Sequence, residues 1–143
     1  MSHYSFLSHK VELEAHLELL DYPLLVGMTE TFLTSSTLHP TLHNYTLISR
    51  LDRREDRIGG GVILFGRNDI ASQIVHVRDS HQHERVWYVL HTDSGPLSIA
   101  VWYRPPQRSE IASIQSLRDE LTSLSDNSIG LIVFGDMNVH EPN

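Results

Sequence analysis

The chain contains no cysteine, which removes disulfides and thiolate metal sites at once; any metal bound here would take oxygen or imidazole ligands. Long apolar runs are also missing. None approaches the length of a membrane span, and Met1-Ser2-His3-Tyr4-Ser5-Phe6 has neither the basic nor the apolar region of a signal peptide, so the expectation is an unprocessed chain that engages no membrane. Positive charge is scarce: 11 Lys and Arg stand against 18 Asp and Glu, for a formal net charge of -7. That balance argues against a generally basic nucleic-acid binder and leaves only local patches to hold phosphate. Internal repeats, low-complexity tracts and linkers are absent, so the 143 residues, 40% of them hydrophobic, read as one domain over 1–143 with enough apolar mass for a core. The ten histidines share no ligand spacing. His81 and His83 fall in a polar loop and His39 and His43 flank Pro40, which reads as ordinary surface placement.

What is present is a run of short apolar segments. From Ser8, residues Val11, Leu13, Leu17, Leu20 and Leu24 recur at helical spacing among charged neighbours, which predicts an amphipathic helix to about Leu20; Pro23 then forces a new element. Strands are predicted at 24–28, 45–49, 62–65, 74–77, 84–90 and 97–103, the last two joined as a hairpin across Asp93-Ser94-Gly95. Arg104-Pro105-Pro106 cannot continue a central strand, which predicts that Tyr103 is delivered to an edge. Ser109 reads as an N-cap for a second amphipathic helix bearing Ile111, Ile114, Leu117, Leu121 and Leu124. The chain closes on Leu131-Ile132-Val133-Phe134-Gly135-Asp136-Met137-Asn138-Val139-His140, and four consecutive apolar residues predict a strand covered on both faces. This order favours a mixed sheet with helices outside, an α/β protein.

Chemistry concentrates after the apolar strands. Glu30 follows the first, and Asp136 and Asn138 follow the last. Two carboxylates and an amide held by a rigid sheet make an oxygen-rich site suited to Mg²⁺ or Mn²⁺; the plainer alternative is a loop glutamate and an Asx turn. Tyr103 and Arg104 could donate hydrogen bonds to a metal-bound phosphate, or pack and be solvated respectively. The segment Arg50 to Arg57 mixes signs and reads as a solvated loop, or as a backbone contact for nucleic acid through Arg53, Arg54 and Arg57. Gly59-Gly60-Gly61 lacks the spacing of a phosphate loop, and no Lys-Ser/Thr follows it, so its glycines read as room for close approach.

In order along the chain, Thr29-Glu30-Thr31-Phe32-Leu33, Gly59-Gly60-Gly61-Val62-Ile63-Leu64, Tyr103-Arg104-Pro105-Pro106, an amphipathic helix and Phe134-Gly135-Asp136-Met137-Asn138 resemble the endonuclease/exonuclease/phosphatase superfamily. The nearest likeness is to apurinic-type endonuclease domains attached to reverse transcriptases of non-LTR retrotransposons, and it runs from about Ser5 to Asn143. The resemblance implies a four-layered α/β sandwich, two mixed sheets packed together with helices outside, and Mg²⁺- or Mn²⁺-dependent hydrolysis of a phosphodiester, with DNA as partner. It implies Glu30 as metal ligand, Tyr103 as a contact to the scissile phosphate, Asp136 as the group that orients or deprotonates water, and Asn138 as a phosphate holder. No family role falls on Arg104, and His140 reads as a loop residue.

Two departures stand out. The family's first strand carries a metal-site asparagine where this chain has Met1, Ser2, His3 and Tyr4, and the family's later Asp- and His-bearing segments have no counterpart before Asn143. The expectation is therefore an incomplete sandwich with impaired activity, cut from a parent polypeptide that includes a reverse transcriptase domain. Two other readings stay open: a phosphatase of the same superfamily, and a non-catalytic binding module that keeps the sandwich without the chemistry.

Overall fold

The computed structural model describes residues 10–29, 40–51, 61–80, 85–102, 110–124 and 127–135. Helix α1 (Lys10–Leu19) precedes strands β1 (Leu25–Thr29), β2 (Tyr45–Leu51) and β3 (Val62–Arg67); a 3-10 turn at Ala71–Gln73 leads to β4 (Ile74–Ser80), β5 (Arg85–Thr92) and β6 (Gly95–Trp102), then α2 (Glu110–Leu124) and β7 (Leu131–Phe134). Every predicted strand and both helices are present, with ends shifted by a few residues. Local chemistry explains several boundaries. After α1 the chain takes the left-handed region at Asp21 and Tyr22, and the Tyr22 amide bonds the Leu17 carbonyl at 2.9 Å, closing the helix before Pro23. The β5–β6 hairpin turns through Asp93 and Ser94 into Gly95, whose φ of 136° favours glycine, with the Thr92 hydroxyl donating to the Gly95 carbonyl at 2.7 Å.

The strands form two sheets. One has the order β1-β3-β2 and is antiparallel; the other has the order β4-β5-β6-β7 and is mixed, since β6 and β7 run parallel. Because side chains alternate along a strand, each sheet has two distinct faces. Val62 and Leu64 of β3 face Val86, Tyr88, Ile99 and Val101 of the second sheet and build the core between the sheets. Ile63 and Phe65 point the other way and are covered by Leu17 and Leu13 of α1, together with Val26, Leu42 and Tyr45. On the far side of the second sheet, Arg85 and Trp87 meet Glu120 of α2. The layers are thus helix, sheet, sheet, helix: an α/β sandwich, as the motif order implied. The sheets approach closely at β1, where a Cβ on Gly27 would stand 2.9 Å from Cγ of Phe134.

Four expectations are corrected. The β7 strand is not covered on both faces: Ile132 and Phe134 pack on the core while Leu131 and Val133 are each 38% exposed. The cause is position, because β7 has only β6 beside it among the described strands. Next, β6 is no edge strand; it pairs with β5 and β7 and stays paired to β5 through Trp102, so the prolines follow an interior strand rather than mark an edge. In α1 only Leu17 is buried, and Val11 and Leu20 are exposed. In α2, Ile114 is exposed and the deepest described side chain is Glu120. Among the described side chains, which in α2 do not include Ile111, both helices bury fewer apolar residues than their spacing suggested.

Candidate functional site

Strand direction gathers one set of strand ends. In the second sheet the register pairs Ser80 with Arg85 and Arg85 with Trp102, while Val101 pairs with Phe134, so β4, β6 and β7 all finish at the end where β5 begins. In the first sheet Thr29 and Leu51 both pair with Val62, so β1 and β2 finish where β3 begins. The two sheets are aligned at the opposite end, where a Cβ on Gly66, near the close of β3, would fall 2.5 Å from Cδ1 of Ile74 at the start of β4. Hence the carboxyl ends of β1, β2, β4, β6 and β7 share one rim of the sandwich. Sites in α/β folds are commonly built at such rims.

The residues singled out from sequence, Glu30, Arg53, Arg54, Arg57, Tyr103, Asp136 and Asn138, lie outside the described residues. Gly59 and Gly60, His39, His81, His83 and His140 lie outside them as well. What the structure describes is the residues before them: Thr29 closes β1, Leu51 closes β2, Trp102 closes β6, and Gly135 follows β7 with a φ of 128°. Among the described residues no group of three or more His, Asp or Glu comes together to hold a metal ion. His43 is exposed, with its amide donating to Glu14 Oε2 at 2.9 Å, and His76 lies 2.6 Å from Asp79. Asp79 is the next-to-last residue of β4, so the His76–Asp79 pair lies near that rim, without a third such ligand among the described residues.

Just beneath that rim, on the helix-covered face of the second sheet, lies a polar cluster that sequence reasoning missed. Glu120 reaches down from α2 and accepts three hydrogen bonds: from Arg85 Nη1 at 2.8 Å and Trp87 Nε1 at 2.8 Å on one oxygen, and from the Ser80 hydroxyl at 2.7 Å on the other. Arg85 Nη2 also donates to Ser116 Oγ at 3.0 Å, and the guanidinium carbon lies 3.9 Å from the centroid of the Trp102 ring. Arg85 is wholly buried and Glu120 nearly so. A buried charge of this kind is tolerated only when paired and hydrogen-bonded, and here both conditions hold. Two signals in the sequence could have revealed it. Glu120 falls on the stripe of α2 that holds Leu117, Leu121 and Leu124, and Arg85 shares a strand face with Trp87, whose indole N–H needs a partner once buried.

Burial pushes the Glu120 carboxyl up, but the hydrogen bonds from Trp87, Ser80 and Arg85 and the Arg85 charge outweigh it and hold the group below the ordinary glutamate value of 4.5. The unfolded chain therefore takes up this proton at higher pH than the folded one. Its contribution to stability is complete above 4.5 and is lost as pH falls through the range below. Urea unfolding measured from pH 7 down to pH 3 is expected to show a steeper acid loss for the native chain than for Glu120→Gln; identical profiles would remove Glu120 as the source. On the core side of the same strand, burial raises the Tyr88 phenol above its usual range, and it shares a 2.6 Å hydrogen bond with Ser49 across the two sheets.

No protein-family model matches the chain, and no curated protein matches it. Among solved structures it is similar to D. rerio TDP2 complexed with single strand DNA product, with 16% of residues identical, a TM-score of 0.54, and coverage of 97% of this chain. The chain spans 57% of that structure's length. The likeness shows the fold alone: both are α/β sandwiches of two packed sheets.

Proposed function

We propose that this chain is a metal-dependent phosphodiester hydrolase domain of the DNA endonuclease type. The observation that carries the reading is the shared rim: β1, β6 and β7 end side by side there, and Glu30, Tyr103 and Asp136 come one, one and two residues after their last residues. Their nearness in sequence to strands that end at one rim supports assigning the three to a single site. The likeness to a structure complexed with a single strand DNA product supports DNA as the substrate class.

Each residue has a task suited to its chemistry. Glu30 would hold Mg²⁺ or Mn²⁺ through its hard carboxylate, and the oxygen-rich set it makes with Asp136 and Asn138 suits such an ion. When bound, the ion polarises the phosphoryl oxygens and offsets their charge. Asp136 takes a proton from the attacking water, while Tyr103 and Asn138 donate hydrogen bonds to phosphate oxygens as negative charge develops on them. Arg53, Arg54 and Arg57, which follow β2, contact the nucleic-acid backbone. By the likeness of its motifs, the polypeptide from which the domain comes includes a reverse transcriptase.

The test is cleavage of supercoiled plasmid, and of duplexes bearing an abasic site or a T/A-rich junction, with and without Mg²⁺. Nicking is expected to require the metal, to vanish in Glu30→Ala and Asp136→Ala, and to fall about 100-fold in Tyr103→Phe, as loss of one transition-state donor does. Nicking that survives all three changes would sink the assignment. Hydrolysis of a phosphomonoester without nicking would make the chain a phosphatase, and binding without either would make it a non-catalytic module.

A further inference from the structure

We infer that the cavity between α1 and the chain entering β2 binds an organic ammonium ion, a primary amine on an apolar stem, with Glu14 and Glu18 as its counter-charges and the Tyr22 ring against its stem. The cavity holds about 360 Å³ and is lined by Glu14, Ala15, Leu17, Glu18, Tyr22 and His43. That is the small end of the range for ligand sites, roughly 300 to 1,000 Å³. Tyr22 precedes β1 and His43 precedes β2, and both strands start where β3 ends, so the cavity lies at the end of the first sheet opposite the rim.

Its lining is part acidic and part aromatic. Glu14 and Glu18 stand one helical turn apart on α1, near enough for their charges to repel until a cation comes between them. One Glu14 oxygen accepts the His43 amide at 2.9 Å, which leaves the other open, and among the described residues nothing holds the Glu18 carboxylate. The Tyr22 and His43 rings complete the lining, meeting edge to face with 6.2 Å between centroids and 70° between planes. Tyr22 is not free to turn away. Its φ of 54° is a left-handed conformation that bulky residues seldom adopt, and it is held on both sides: its amide donates to the Leu17 carbonyl at 2.9 Å and its carbonyl accepts Arg67 Nη1 at 2.8 Å. Asp69 in turn grips that guanidinium at 2.6 and 2.9 Å. Walls fixed before a ligand arrives lose less on binding it.

The ligand class follows from what these groups leave unmet. Glu14, Glu18 and His43 line one cavity yet do not converge closely enough to hold a metal ion, so a compact divalent cation is a poor match. An ammonium group carries three N–H donors that bridge separated carboxylates, and its methylenes can lie on an aromatic face whose quadrupole also attracts the charge. A neutral ligand would leave the two like charges uncompensated. The net charge of -7 further favours cations over anions around the chain.

A titration of the whole isotope-labelled chain with n-butylammonium chloride, followed by NMR at the amides of Tyr22 and His43, tests the site. Sodium chloride at matched ionic strength and n-butanol serve as controls. Saturable shifts at both amides are expected with n-butylammonium alone, with a dissociation constant in the millimolar range. Glu18→Gln removes an exposed charge that supports no part of the fold, and is expected to weaken binding about 3- to 5-fold. Glu14→Gln/Glu18→Gln, which keeps an acceptor for the His43 amide, is expected to abolish saturation. Asp119→Asn makes the same change of charge at an exposed residue of α2 and should leave the binding curve unchanged. The inference is overturned if neither amide moves in the native chain, if sodium chloride or n-butanol reproduces the shifts, or if binding survives the double variant. Equal weakening by Asp119→Asn overturns it too, since overall charge would then suffice. Cleavage enters none of these measurements, so failure of the hydrolase reading would leave the ammonium site standing.

Discussion

Replacing Glu120 with alanine is expected to lower the free energy of unfolding by about 3–5 kcal/mol, because it strands a buried guanidinium. Three donors lose their acceptor at once: Arg85 Nη1, Trp87 Nε1 and the Ser80 hydroxyl. An unsatisfied buried donor costs about 1–3 kcal/mol by itself, and a charged one more. Against a typical total stability of about 5–15 kcal/mol, such a loss brings the chain close to unfolding. The pair itself need not be a net source of stability, since desolvating two ions offsets most of their attraction. Removing both, as in Arg85→Met/Glu120→Leu, is therefore expected to recover most of the loss. Urea titrations followed by fluorescence check both statements directly, because both tryptophans, Trp87 and Trp102, touch this cluster. A Glu120→Ala midpoint equal to the native one would show that the helix docks by other means.

Leu64→Ala is expected to cost about 2–5 kcal/mol, whereas Val133→Ala should stay within about 1 kcal/mol. The two residues occupy equivalent places in similar runs, Val62-Ile63-Leu64-Phe65 and Leu131-Ile132-Val133-Phe134. Leu64 has no exposed surface and lies between the sheets, so deleting its methyls leaves a cavity that strands on both sides must close. Val133 is 38% exposed on the open face of β7, where water fills the space left behind. Denaturation midpoints for the two variants separate the cases. Equal losses would mean that the outer face of β7 is covered in solution.

Much of the architecture was legible because strands are short and punctuated. Pro23, the Asp93-Ser94-Gly95 turn and the Arg104-Pro105-Pro106 segment all mark boundaries the fold respects, since each fixes backbone geometry locally. Edge and interior could not be read that way. Whether β6 or β7 has a neighbour on both sides depends on pairing between residues far apart in sequence. The helix faces were overread for a related reason: spacing shows which residues share a stripe, not how much of that stripe a sheet will cover. Of the candidate site, the residue types and their order after strands were visible from the start. For Arg85 and Glu120 the sequence holds only a carboxylate on the apolar stripe of α2 and a charge on the strand face of Trp87; that the two pair, across 35 residues, is a tertiary fact.

Residues close in sequence were enough to set the elements and their order, the absence of thiolate chemistry, and the acids, amide and tyrosine that follow apolar strands, because these rest on backbone propensity and side-chain chemistry within a few residues. Long-range pairing had to add that five strands end at one rim, that α2 docks through a buried carboxylate, and that the chain's two apolar quartets, β3 and β7, meet different fates. The cause is sheet position. An interior strand between two covered faces buries every side chain, whereas a strand at the margin buries alternate ones, and no local pattern records which margin a strand will occupy.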